Sequence, residues 1–570
     1  MTAIASAPTA EAAGRARFAS SSAVARVWAG SRGMLLEAGV AFAGAAWMVL
    51  ATETIHHFVP LNRNSQVSGL AALQMRFVLP ALVGVALLVL TRNVAARREW
   101  AARVAFPLIP GLMSGFVGAG VLLALRGKDL PLNGTSGDAG DMERWTLMLQ
   151  HGQMTHPGYP PLYPRIVWFV SKLVDDNVFL GLKYTEIVTA AILGPALYLA
   201  WRLVVGRAWA CTIACLYTGA LSEPYKAYEP VVLGILVPII IAFLGYLRAC
   251  EDKSWKRLAV VGLLCGLGLG EIFILFSGPF YWSAIGITVT ALWIFPWRAW
   301  RNALVLLATT GVGFLLIGWH LVLGLLDEAP DPYFFFQTDQ DPGYPFLYIT
   351  DLPGPLAKGV WPPIGEVGGI DVFAALAVIA AGIAIWLGIR KLPVLLTVSV
   401  LAGSWLMRFH FAAEMFPDKL VRYWPRTTSV IIYCFIILIA YAVMAVAEKV
   451  QELYGLLTAR VQPVTAEAAA AVSPSTVSAD APSAALDEDA EPAPAVRSRS
   501  GRATTPVTAT VGAGLVAASF ALTLFAGMAG SANADKFMPK NDGSPGQLAY
   551  NAHGDDPRNL RLGVTLVNGK

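Results

Sequence analysis

The sequence predicts an all-α polytopic membrane protein, and three observations lead there. Of its 570 residues 56% are hydrophobic and only 14% are charged, where a soluble domain is about half apolar and about a quarter charged. The deficit in charge carries more weight than the apolar surplus, because hydrocarbon excludes ionised side chains. Apolar runs of roughly 17–25 residues, the length a bilayer demands, recur along most of the chain; residues 34–51, 104–125, 231–247, 302–325 and 427–446 are examples. Between such runs, arginine and lysine gather in short clusters.

Residues 1–30 are rich in Ala, Ser and Arg and hold no apolar core before the first span. They read as a disordered cytosolic tail rather than a cleavable signal. Arg15, Arg17, Arg26 and Arg32 precede the first span, and Arg92, Arg97, Arg98 and Arg103 follow the second. Further basic turns carry Arg202 and Arg207, then Arg248, Lys253, Lys256 and Arg257, then Arg298 and Arg301, then Arg390 and Lys391. Placing all of them in the cytoplasm gives about 13 spans, with the N-terminus inside and the C-terminus outside. The alternation closes only if residues 162–174 do not cross. That segment is too short, carries Arg165 and Lys172 and follows Tyr159-Pro160-Pro161, so it reads as a helix on the outer surface. The main bundle is then residues 31–450, with long outer loops at 126–177, 327–370 and 408–426. Residues 451–505, rich in Ala, Pro, Ser and Glu, read as a disordered cytosolic linker. A last span at 506–528 leads to an outer tail, 529–570, with too little apolar content to fold alone.

Several classes are excluded. A net charge of +4 without an aromatic-basic surface argues against nucleic acid. The five cysteines, Cys211, Cys215, Cys250, Cys265 and Cys434, fall in or beside apolar runs and suggest neither a disulfide framework nor a thiol zinc site. No fixed-period repeat is visible.

The chemistry-bearing residues concentrate in the outer loops. Asn133-Gly134-Thr135-Ser136-Gly137-Asp138-Ala139-Gly140-Asp141-Met142-Glu143-Arg144-Trp145 puts three carboxylates on a Gly-rich turn before an amphipathic stretch ending at Gln150. A carboxylate at a helix start is favoured by the dipole, so a helix cap is the plain reading. The functional reading is a general base beside which a sugar hydroxyl loses its proton; Asp141, at the helix start, is the better candidate and Asp138 the second. Glu143 and Arg144 are an expected ion pair. His151 and His156 follow; two histidines without a third ligand at diagnostic spacing are a weak metal signal. Tyr159 and Tyr163, set among prolines, suit stacking on a sugar ring or anchoring at the headgroups. The second loop holds Asp327, Glu328, Asp331, Asp339, Asp341 and Asp351, and closes with Trp361-Pro362-Pro363-Ile364-Gly365-Glu366. Its carboxylates either bind a divalent cation or keep the loop in water, the second being the default.

Arg408, His410, Lys419, Arg422 and Arg426 lie outside, against the positive-inside trend. Guanidinium matches phosphate bidentately, so a lipid-linked phosphate is the natural partner, with a headgroup anchor as the plain alternative. Glu271 ends the run Gly266-Leu267-Gly268-Leu269-Gly270. The glycines are helix-packing material, and the carboxylate is expected to line a cavity. Glu223 and Lys226 are expected to form a local pair at an outer turn.

Together these features resemble the GT-C glycosyltransferases, which take sugar from a polyprenyl phosphate. Within that superfamily the chain resembles the actinobacterial galactan 5-O-arabinofuranosyltransferases. The carrying residues are Gly140 to Arg144, Tyr159-Pro160-Pro161-Leu162-Tyr163-Pro164, Trp361 to Gly369 and, more faintly, Leu548 to His553. The acidic motif follows the third span rather than the first, and the outer C-terminal region is shorter than in many family members.

The resemblance implies a GT-C-like bundle with extracytoplasmic juxtamembrane helices, in the plasma membrane. It implies an inverting transfer of arabinofuranose from decaprenylphosphoryl-arabinofuranose to cell-wall galactan, in arabinogalactan biosynthesis. Asp141 would be the base, and Arg408, Arg422, Arg426 and Lys419 would hold the donor phosphate. Glu143, Arg144, His156, Tyr159, Tyr163, His410, Trp361 and Glu366 are the candidate substrate contacts. No cofactor is assigned, and a divalent cation is left open. The rivals are a GT-C enzyme using another sugar such as mannose, and a lipid or sugar transporter. The latter would place ionisable residues near mid-bilayer and show related halves.

Overall fold

The computed structural model describes residues 33–55, 62–153, 157–327, 372–418, 426–470, 506–540 and 543–554. Among them the chain is helical throughout and forms no strand. Nine helices are long and apolar enough to cross a membrane. They are α1 (Gly33–Ile55), α2 (Arg63–Leu90), α3 (Ala95–Ala124), α6 (Val178–Trp201), α8 (Tyr228–Arg248), α9 (Trp255–Leu275), α11 (Trp300–Asp327), α13 (Leu392–Asp418) and α14 (Thr427–Ala470). Between them lie α4 (Asp138–Gln150), α5 (Leu162–Lys172), α7 (Arg207–Leu221), α10 (Gly278–Trp293) and α12 (Val372–Gly388), and α15 (Pro506–Phe537) and α16 (Pro545–Gly554) close the chain. The chain is thus an all-α multi-pass membrane protein.

Helix direction alternates once the shorter α7, α10 and α12 are counted, so α9 and α11 run parallel, with Gly262, Gly266 and Gly270 meeting Thr309, Thr310 and Ile317 in that order, and contacts mark two ends. At one end Glu37 of α1 meets Arg202 and Arg207 after α6, Asn302 of α11 donates to the turn carbonyls of Cys250 and Glu251, and Lys391 pairs with Glu448 of α14. This is the basic end. At the other end Arg126 donates to the Ile55 carbonyl, Asn533 of α15 donates to Thr218 and Gly219 of α7, and Arg408 meets Thr427. The second is the loop end, because α4, α5 and α16 lie there. With 24 residues in α6 at about 1.5 Å each, the two ends are roughly 36 Å apart.

Small residues let these helices close up. A Cβ on Gly111 or Gly115 would run into the Ala41 or Ala45 carbonyl of α1, and one on Gly194 into the Pro110 carbonyl. In the run from Gly266 to Gly270 the packing role holds for its two ends, which face Thr310, Phe314 and Ile317 of α11, while Gly268 faces open space. Glu271 is exposed on the outside of the bundle.

Some boundaries differ from the sequence reading. Helix α5 matches the expected surface helix: 11 residues span only about 16 Å, and Tyr163, Pro164, Val167 and Ser171 are its buried face. The segment expected to leave the bundle at residue 408 stays helical to Asp418, with no breaker before Pro417. Arg408 is therefore inside a helix and wholly buried. Helix α14 continues to Ala470, into the segment read as linker, whose remainder lies outside the described residues. Helix α15 runs to Phe537, nine residues past the expected end, and packs on α2, α3 and α7 as part of the bundle. Its Gln74–Ser531 hydrogen bond of 2.9 Å and Arg63–Asp535 ion pair of 3.2 Å explain the added turns.

Candidate active site at the loop end

The acidic turn is built by backbone demands first. Asn133, Gly134 and Gly137 have φ of 64°, 61° and 58°, the left-handed region that glycine enters without steric cost. Gly137 is the N-cap of α4, and a Cβ on Gly140 would run into the Thr135 carbonyl. Helix α6 fixes the approach to this turn. Lys183 Nζ donates to the Leu125 and Lys128 carbonyls at 3.1 and 2.6 Å, and the fully buried Glu186 accepts the Leu132 N–H at 3.1 Å.

The helix begins at Asp138, not at Asp141, which sits one turn in. Asp138 forms an ion pair with Lys226, from the turn between α7 and α8. Lys226 is therefore not a local partner of Glu223 alone; tertiary packing brings it to the acidic turn. Asp141 pairs with Arg144 at 3.0 Å, which corrects the expected Glu143–Arg144 pair. Residues three apart share a helix face and neighbours do not. Glu143 points elsewhere on α4, where burial pushes its carboxyl up to about 7.

Four residues on from Asp141, the Trp145 ring lies on that of Tyr159, with centroids 4.0 Å apart. The Tyr159 hydroxyl is 2.7 Å from that of Tyr228, and Tyr228 in turn stacks on Tyr163 at 4.2 Å. The result is an aromatic wall formed by α4, α5, the segment before α5, and the mouth of α8. Burial pushes the Tyr159 phenol up from its ordinary value; the Tyr228 hydrogen bond and the charge of Arg426 oppose this, while Glu229 and Asp141 reinforce it. Asp141, Glu229 and Arg426, from three separate elements, thus lie within electrostatic reach of one hydroxyl. Burial also pushes the Tyr163 phenol up, with Glu186 adding to the effect.

The structure brings together Asp138, Asp141, Arg144, Tyr159, Tyr163 and Arg426 of the expected residues. Arg408 is wholly buried beside Arg426's segment: its guanidinium donates at 3.0 Å to both Thr427 and Thr428, joining α13 to α14. His410 is exposed on α13, its ring 5.7 Å from that of Phe411. His156, Trp361, Glu366, Lys419 and Arg422 lie outside the described residues, as do the carboxylates after Asp327. Among the described residues no group of three or more His, Cys, Asp and Glu is placed to hold a metal ion.

Sequence reasoning gave no site role to Trp145, Tyr228 and Glu229 and underrated Lys226. The signal was present in Glu223-Pro224-Tyr225-Lys226-Ala227-Tyr228-Glu229-Pro230, where charge, aromatics and proline meet at the mouth of an apolar run, as around Tyr159. No family model matches this chain, and no curated protein matches it.

Proposed function

We propose that the chain is a membrane glycosyltransferase of the GT-C kind, which moves arabinofuranose from decaprenylphosphoryl-arabinofuranose to cell-wall galactan. The observation that carries this reading is the pair of ion pairs Asp138–Lys226 and Asp141–Arg144 next to the Trp145–Tyr159–Tyr228 aromatic wall, beside spans able to hold a polyprenyl tail. A carboxylate, a cation and an aromatic wall at the bilayer edge are what an acceptor hydroxyl, a leaving phosphate and a sugar ring require.

In this reading a galactan hydroxyl attacks the anomeric carbon from the face opposite the phosphate. Asp141 takes the hydroxyl proton as the bond from that carbon to the phosphate oxygen breaks, with inversion. Arg426 and Lys226 face the departing phosphate, and preorganised charge of this kind commonly contributes more to catalysis than any other single effect. Tyr159 and Trp145 shape the sugar site, and Arg144 orients Asp141. Arg408, buried against Thr427 and Thr428, braces the segment next to Arg426 instead of touching the donor. The basic turns set the sidedness: a chain in the plasma membrane, with about 13 spans and the loop end facing out.

The test is purified protein in a bilayer disc, given decaprenylphosphoryl-arabinofuranose or decaprenylphosphoryl-mannose and a galactofuranose oligomer. Pentose addition to the oligomer supports the reading. Transfer of mannose alone would replace the donor sugar, and transfer from neither would remove the glycosyltransferase.

A further inference from the structure

The last described residues of the chain bear directly on the acidic turn. Past α15 the chain turns back, with the Pro539 carbonyl accepting from Gln66 Nε2, and α16 lies across the loop that leads into α4. The Asn133 N–H donates to the Pro545 carbonyl at 2.9 Å. Tyr550 donates through its hydroxyl to the Arg126 carbonyl at 2.8 Å, just past the end of α3, and Lys128 Nζ sits 4.7 Å from the centre of its ring. Ala549 is wholly buried. Gly134 has the closest approach: a Cβ there would lie 2.9 Å from that of Ala552 and 3.3 Å from the Leu548 carbonyl.

We infer that α16 is a clamp that sets the left-handed Asn133–Gly134 corner and so positions Asp138 and Asp141, with Gly134, Tyr550 and Ala552 as positioning residues. Two observations favour a clamp over an incidental neighbour. Asn133 is a non-glycine residue at φ 64°, a conformation asparagine tolerates better than most residues yet enters as a single turn residue; its N–H bond to the Pro545 carbonyl ties that turn to α16. The tail's own base is also fixed, since Arg63 and Lys540 both pair with Asp535 and Ser544 Oγ accepts the Lys540 N–H at 3.2 Å. A held base and a held tip make a strut, whose length sets where the loop stands.

The inference rests on the proposed function only in calling the acidic turn catalytic, so its test has one reading that needs no substrate. In the full-length protein in a bilayer disc, Tyr550→Phe removes one hydrogen bond and keeps the ring. Amide hydrogen exchange over residues 130–138 should rise about three- to tenfold, the value of one such bond, with exchange in α9 and α11 unchanged. Gly134→Ala should lower kcat at least about tenfold, from the left-handed strain and the collision with Ala552, with the donor KM nearly unchanged. Adding Ala552→Gly removes the colliding methyl and should restore kcat to within about threefold, leaving only the backbone strain. The clamp is overturned if Tyr550→Phe leaves loop exchange at the wild-type rate, or if Ala552→Gly fails to improve Gly134→Ala. If no transfer is detectable in the parent protein, the proposed function falls while the exchange measurement still decides the clamp.

Discussion

The two ends of the bundle use charge in opposite ways. At the basic end Glu37, only 1% exposed, accepts from Arg202 at 2.8 Å, Arg207 at 2.5 Å and Tyr198 at 3.0 Å, and Arg207 reaches on to Glu99 at 2.9 Å. Both oxygens of the Glu37 carboxylate have near donors, and the cluster ties α1, α3, α6 and α7 together. At the loop end the ion pairs Asp138–Lys226 and Asp141–Arg144 stand instead beside the rings and hydroxyls of Trp145, Tyr159, Tyr228 and Tyr163. The first arrangement fixes four helices; the second leaves charge of both signs beside an amphipathic wall, where a polar ligand can join it. Charge count alone does not separate a structural end from a chemical one. The company of the charges does.

The contrast is broken most sharply by exchanging one carboxylate at each end. Asp141→Asn keeps shape and, on the proposed reading, removes the base. Transfer should fall by about 10²–10⁴ in kcat, the usual range for a positioned general base, while thermal unfolding stays within about 1 °C of the parent. A folded Asp141→Asn protein with near-normal turnover would take Asp141 out of the mechanism. Glu37→Gln should do the reverse. Breaking a buried ion-pair network by removing one member costs about 3 kcal/mol, so unfolding temperature should drop by several degrees. Turnover per folded molecule should stay at the parent value. If Glu37→Gln lost activity at constant stability, the two ends would not differ in the way described.

A smaller effect sharpens the comparison within the loop end. On the proposed reading, Arg426→Gln removes a charge-assisted interaction with the donor phosphate, a difference of about 1.5–3 kcal/mol. Donor KM should rise about ten- to a hundredfold with a lesser change in kcat, and Arg408→Gln should instead loosen α13 from α14 and lower stability. Equal donor KM for parent and Arg426→Gln would move the phosphate site elsewhere.

How much of this is legible in the sequence depends on whether the cause is local. Helix α5 is legible because 11 residues with Arg165 and Lys172 cannot span a bilayer, and α4 because a Gly-Asp turn precedes an amphipathic stretch ending at Gln150. The packing of Gly266 and Gly270 against α11 is legible in the spacing of small residues. Lys226 is misjudged because its partner Asp138 stands far off in the chain, and periodicity carries no record of tertiary pairing. The loop boundary at Arg408 is misjudged because a cation at the edge of an apolar run reads equally as the end of a span or as a buried helical residue; the run of α13 to Asp418 and the bonds to Thr427 and Thr428 show the second. The tail is underrated because its own apolar content is small, and what holds it is the surface of α2, α3 and the acidic loop.

The smallest expected effect concerns Glu143, and its sign tests whether α4 has one working face or two. Burial raises its carboxyl to about 7 in the folded protein from an ordinary 4.5. The folded state therefore holds this proton more tightly than the unfolded one, so the associated stability is fully present below about pH 4.5 and is lost as pH rises through 7. Glu143→Gln removes the penalty of burying a charge. The variant should match the parent near pH 5 and unfold on the order of 2 °C higher near pH 8.5, with kcat little changed at either pH. Glu143 and Asp141 are two residues apart and so face different sides of the helix, and only Asp141 shares the Trp145–Tyr159 side. If Glu143→Gln instead abolished the alkaline limb of the rate profile without altering stability, the base would be Glu143, and the working face of α4 would be the one turned away from the aromatic wall.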